Sequence, residues 1–198
     1  MSVEKPLHDI KDAYGYLEEM RTAKTYHAYD RAWVNLLGAL SRAWHRTGAC
    51  IKPFPNIKYS ALVDEATKLI GEGGDELLVY LRMARNVREH GLEDITTHAP
   101  GRVEIGPPDG SNVTYVRHME IRGGKITKLD APNGAKIEFK PGRVIPTSIK
   151  VGGKEYPLPK THLGKPILSS DAAVFGLLGI VFYEQTINSI GSLLQEAT

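Results

Sequence analysis

The chain has 198 residues, 41% of them hydrophobic and 24% charged, with a formal net charge of +2 at neutral pH. That is the size of one large domain, or of a domain carrying an insertion, with enough apolar mass for a real core. A single cysteine, Cys50, excludes an intramolecular disulfide and a zinc site built on paired thiolates, and fits a reducing cytoplasm.

Charge is unevenly spread. Residues 100–168 hold twelve Lys/Arg against six Asp/Glu, leaving thirteen against seventeen for the rest. A basic module of this kind either attracts polyanions through phosphate contacts or places cations on sheet edges to prevent pairing between molecules. Glu4, Asp9, Asp12, Glu18 and Glu19 leave residues 1–25 without the apolar run of a secretory signal. The most apolar stretch, Ala172 to Tyr183, falls short of the ~20 residues a helix needs to cross a bilayer, so no membrane partner is expected.

Leu7, Ile10, Ala13, Tyr14, Leu17 and Met20 recur at helical period and predict a first amphipathic helix. Tyr26, Tyr29, Trp33, Leu36, Leu37, Leu40 and Trp44 predict a second, of roughly five to six turns, ending at Thr47-Gly48. The Trp33 and Trp44 stripe reads as core. Asn56 is a candidate N-cap for a third helix carrying Leu62, Val63, Ala66, Leu69 and Ile70, which ends at Gly71-Glu72-Gly73-Gly74. That glycine run lacks a following Lys-Ser or Lys-Thr and follows no strand, so it is no phosphate loop. Asp75 caps a fourth helix with Leu77, Leu78, Leu81, Ala84 and Val87 inward, and Gly91 suits a left-handed C-terminal position.

Past Pro100 the pattern changes to short β-prone runs. They are separated by Pro107-Pro108-Asp109-Gly110, Gly123-Gly124, Pro132-Asn133-Gly134, Lys140-Pro141-Gly142 and Gly152-Gly153. Val113, Tyr115, Arg117, Met119 and Ile121, then Ala135, Ile137 and Phe139, alternate at period two, and an antiparallel meander of four to six strands is expected. After Ser169-Ser170-Asp171 the helical period returns with Phe175, Leu178, Phe182, Thr186, Ile190 and Leu193, while Leu177, Ile180, Val181 and Ile187 widen the apolar surface. Central burial, or a second copy of the chain, would explain that width. The reading is an α+β chain: a bundle of about five helices from residues 1–97 and 169–198, with a β-rich insertion over 98–168.

The chemistry concentrates at the end of the fourth helix, in Arg85-Asn86-Val87-Arg88-Glu89-His90. Arginine matches a phosphate bidentately and stays charged, an amide orients, and an imidazole moves protons near neutrality. Asn86 and His90 are four apart and share a face, whereas Arg85 and His90 are about 140° apart at 100° per residue. Local fraying or a second protomer would be needed to bring those two together. The bland alternative is an ion-paired face: Arg82, Arg85 and Arg88 at spacing three, Glu89 paired to Arg85, and His90 on the helix dipole. His45 with Arg42 and Arg46 reads as a solvated basic patch. The remaining histidines have no ligand spacing, so no metal site is expected, and Ser41, Ser60 and Ser148 lack a glycine-flanked elbow.

The Arg, polar residue, three positions, His pattern at Arg85, Asn86 and His90 resembles the motif of HEPN-domain proteins. The resemblance implies a metal-independent endoribonuclease of toxin-antitoxin, abortive-infection or other defence systems, needing no cofactor. Arg85 would stabilise the phosphate, Asn86 orient, and His90 act as general acid or base, with Arg82 and Arg88 as further substrate contacts. It also implies RNA as substrate, a homodimer with a shared cleft, and in some members an antitoxin partner. The β-rich segment departs from the usual compact helical domain, and leaves open a non-catalytic dimeric module whose insertion binds a protein or nucleic-acid partner.

Overall fold

The computed structural model describes residues 3–52, 57–89, 94–99, 102–107, 116–122, 125–130, 136–140 and 143–196. Among them are five α-helices, α1 Glu4–Thr22, α2 Tyr26–Ile51, α3 Ile57–Ile70, α4 Glu76–Glu89 and α5 Ala172–Glu196. Ten short strands lie between α4 and α5: β1 Thr96–Ala99, β2 Arg102–Gly106, β3 His118–Arg122, β4 Lys125–Asp130, β5 Lys136–Lys140, β6 Arg143–Pro146, β7 Ile149–Val151, β8 Lys154–Tyr156, β9 Thr161–His162 and β10 Lys165–Pro166. The mainly helical α+β reading of the sequence is the architecture observed.

Three residues join α1 to α2, so the helices fold back on each other, and the apolar stripe of α1 (Ile10, Ala13, Leu17, Met20) disappears against α2. Asp9, 2% exposed, fixes the pairing: Arg46 Nη1 donates to both its oxygens at 2.9 and 2.8 Å, and Arg42 Nε lies 3.4 Å away. Thr25 caps α2 by accepting from the Ala28 N–H at 3.2 Å. The helix runs past Thr47-Gly48 to Ile51, because Ile51 packs against Ile190 and Leu194 of α5, and the Thr47 hydroxyl donates to the Ala43 carbonyl of its own helix.

Asp75 begins α4 as expected, accepting from the Leu78 N–H at 3.0 Å. The same carboxylate also holds the β9–β10 turn, through His162 Nδ1 at 2.9 Å and the Leu163 N–H at 2.6 Å. Asp171 caps α5 by accepting from the Ala173 N–H at 2.8 Å. Asn56, Gly91, Val113, Tyr115, Ala135 and most of the glycine and proline punctuation between strands lie outside the described residues.

Although Leu177, Leu178 and Val181 are only half-buried, central burial accounts for much of the wide apolar surface of α5. It packs against all four other helices, and Ala172, Phe175, Ile180, Ile187 and Ile190 are fully buried. The helix continues well beyond Tyr183, and by length and composition alone Ala172–Gln195 would suffice to cross a membrane. Here that length is the axis of a helical core.

The chain divides into two compact units, residues 1–98 with 144–198, and residues 99–143. The boundary read from composition at 168 therefore falls at 143 by packing. The β7–β8 and β9–β10 hairpins belong to the helical unit, where β7 and β9 contact α4 and Ile149 enters the core. Pairing in the smaller unit is nested rather than sequential: β3 with β4 inside, β2 with β5 outside, both antiparallel, the latter in register Arg102↔Lys140 to Gly106↔Lys136. That nesting replaces the expected meander. β1 and β6 are hydrogen-bonded neighbours.

Candidate functional site

A cavity of about 280 Å³ opens in the helical unit between α2, α3, α4 and α5. From α4 come Leu81, Arg82, Arg85 and Asn86, spaced one, three and four so that they share a face. From α2 come Leu37, Leu40, Ser41, Trp44 and His45, which also recur at helical spacing. Thr67, Ile70 and Gly71 close one side, and Tyr183 of α5 the other. The floor is apolar, with Leu37, Leu40, Ile70, Leu81 and Tyr183 at most 6% exposed, and the rim carries two guanidiniums, an amide, an imidazole and two hydroxyls.

Arg85 is positioned by its own helix. Its Nη2 pairs with Glu89 Oε1 at 2.6 Å and its Nη1 donates to Asn86 Oδ1 at 3.3 Å, while its buried Nε has no hydrogen-bond partner. Arg82 has no ion-pair partner among the described residues, and its Nε is likewise buried and unpaired. An N–H left without an acceptor out of water costs free energy, on the order of 1 to 3 kcal/mol. Burial pushes the Tyr183 phenol well above its ordinary range against the opposing charge of Arg82, so it stays a neutral hydrogen-bonding group on the cavity wall.

Of the residues singled out by the motif, Arg82, Arg85 and Asn86 therefore meet. Arg88 does not join them. Successive steps of three turn back by about 60° at 3.6 residues per turn, so Arg88 lies about 120° from Arg82 around the axis. It points to a different partner: its Nη2 donates to Asp30 Oδ2 at 2.7 Å and its Nη1 to Asp94 Oδ1 at 3.0 Å. Asp30 also accepts from the Thr96 hydroxyl at 2.6 Å, whose carbonyl accepts from the Tyr26 hydroxyl at 3.2 Å. Arg88 is thus part of the joint that fastens β1 to α2 and α4. His90 lies outside the described residues; Glu89 is the last residue of α4.

Among the cavity residues that the sequence did not mark as functional, His45 and Trp44 show why. His45 neighbours Arg42 and Arg46 in the chain, yet those arginines turn to Asp9 while His45 lines the cavity. Trp44 and Trp33 share a stripe, but Trp33 is fully buried whereas Trp44 is half-buried and lines the cavity, its ring 6.0 Å from that of Tyr183 at 59°. The signal in both cases is their four-residue and three-residue spacing from Ser41, which places them on the face that α4 approaches. No protein-family model, curated protein or solved structure matches the chain.

Proposed function

We propose that the chain is a metal-independent endoribonuclease of the HEPN type, serving as a toxin or defence effector in the cytoplasm, with RNA as substrate and the homodimer as working form. The observation that carries this reading is the convergence of Arg82, Arg85 and Asn86 on one cavity. In the cleavage, the 2′-oxygen of a ribose attacks the adjacent phosphorus and the 5′-oxygen of the next nucleotide leaves. One proton is removed from the 2′-hydroxyl and one is delivered to the leaving oxygen, giving a 2′,3′-cyclic phosphate and a 5′-hydroxyl. Charge accumulating on the non-bridging oxygens is what fixed guanidiniums stabilise best. Arg85 and Arg82 take that role, Asn86 orients the phosphate, and His90, directly after α4 in sequence, moves the proton.

Purified chain incubated with single-stranded RNA in a chelator should produce ends carrying cyclic phosphate. Arg85→Ala and His90→Ala should each reduce the rate by about a hundredfold or more, the usual loss for a proton-transfer or charge-stabilising group. Intact RNA with the wild-type chain, alone and as dimer, would sink the reading.

Two observations favour a second reading, a non-catalytic dimeric module that docks an antitoxin or another partner through its insertion. Glu89 already occupies one side of the Arg85 fork, and the insertion exposes Met119 on β3 (40%) and Val116 ahead of it (42%). On that reading Arg85 is dispensable and Met119 is not.

A further inference from the structure

The cavity is divided in a way that phosphate alone does not require. Its rim is cationic and hydrogen-bonding, but more of its lining is apolar, and that apolar part is deep: Leu37, Leu40, Ile70 and Leu81 are 2 to 6% exposed. Trp44 and Tyr183 meet there at a tilted angle, so two aromatic rings form one corner of the space. Bare phosphate would use the rim and leave this floor empty. A volume of about 280 Å³ falls just under the range of small-molecule pockets, which begins near 300 Å³. That suits a single heterocycle with its sugar and not a stacked run of bases. The described lining residues come from α2, α3, α4 and α5 of one chain and the turn after α3.

We infer that this cavity is a nucleotide pocket, taking one base against Trp44 and the leucine floor with its phosphate on Arg82 and Arg85. The inference rests on the endoribonuclease reading above and adds the place where one base of the substrate is held, swung out of its strand. Enzymes that read an extruded base use the same pairing of an apolar or aromatic slot with phosphate contacts outside it. His45, Ser41 and Thr67 stand on the rim as hydrogen-bonding groups for the base edge or sugar.

The test is a titration of the full-length chain with adenosine and uridine 5′-monophosphate, with inorganic phosphate, and with adenosine. The expected result is that nucleotide binds about tenfold or more tighter than phosphate or nucleoside, the increment one base gains by stacking on an aromatic ring. Trp33 is fully buried, so quenching by nucleotide should report Trp44. Trp44→Leu should lose the nucleotide's advantage and keep phosphate affinity, whereas Arg82→Gln should weaken both. Should Trp44→Leu fail to fold, wild-type quenching by nucleotide but not by phosphate decides the same point. Nucleotide binding no tighter than phosphate overturns the base pocket and leaves the anion site standing. Absence of binding by either overturns both. A short single-stranded oligoribonucleotide should displace the mononucleotide while its duplex does not; a mononucleotide that no oligonucleotide displaces would keep the pocket and overturn the endoribonuclease.

Discussion

Arg88 and Arg82 look interchangeable in the sequence, two arginines flanking Arg85 at equal distance, and the fold gives them opposite work. Arg88 saturates Asp30, a carboxylate only 8% exposed, so its loss leaves a buried charge with the Thr96 hydroxyl as its remaining partner. Arg88→Ala should lower stability by about 2 kcal/mol, the modest end for a broken buried pair because Arg88 is itself a third exposed. Phosphate and nucleotide affinity should stay unchanged. Arg82→Ala should do the reverse, since its guanidinium faces the cavity and holds no ion pair among the described residues. Urea unfolding beside ligand titration separates the two, and weakened anion binding in Arg88→Ala would return Arg88 to the site. At this scale the sequence is legible only as far as helix geometry carries. The spacing of Arg82, Arg85 and Asn86 foretells one face, but Asp30 and Asp9 are partners some tens of residues away, and no local pattern says that they claim Arg88, Arg42 and Arg46. His45 became visible as a cavity residue only once Arg46 had been taken by Asp9.

Helix starts were legible for a related reason: a cap is a local bond. Asp75 and Asp171 each accept from an N–H two or three residues on, and both sit where the pattern put them. Endings and strand order depend on distant partners, which is why α2 outruns Thr47-Gly48 to reach α5, and why β2 skips its neighbour to pair with β5. The approach of α5 to α4 shows the same dependence at one glycine. A Cβ on Gly179 would lie 2.5 Å from Leu81 Cδ1 and 3.3 Å from Leu40 Cδ1, both on the cavity floor. Gly179→Ala should therefore cost about 1 to 3 kcal/mol by overpacking, and by displacing Leu81 should weaken nucleotide binding as well. Gly15, exposed in α1 with nothing within 4 Å of an added Cβ, is the matched control. Gly15→Ala should stabilise by about 0.5 to 1 kcal/mol through helix propensity alone. Thermal unfolding of both variants checks the pair. A neutral Gly179→Ala would mean that α5 has slack against α4 and that the cavity is not held by their close approach.

For the whole molecule, composition and packing draw different borders, and the difference bears on what the basic segment does. Residues 100–168 carry the excess of Lys and Arg, yet residues 99–143, the separate compact unit, hold eight Lys/Arg against five Asp/Glu, and the rest of the excess lies in the helical unit. Within the smaller unit the described strands form two-stranded pairs, whose outer edges call for charge to prevent pairing between molecules. Some of that charge is engaged locally: Glu120 of β3 meets Arg122 at 3.5 Å and His118 at 3.2 Å. The chain leaves the helical unit at β1 and re-enters it at β6, two hydrogen-bonded strands, so a short Gly-Ser linker can replace residues 99–143 without pulling the core apart. The excised chain should retain helical circular dichroism, cooperative unfolding and mononucleotide affinity, because every cavity wall lies outside the deleted stretch. Its affinity for single-stranded RNA should fall with salt as steeply as that of the full chain, which is the expectation for cations that guard strand edges. A slope shallower by roughly 0.7 for each phosphate of a single strand that is no longer neutralised would instead assign those lysines and arginines to the RNA. The helical unit would then hold the nucleotide while the inserted unit holds the strand that carries it.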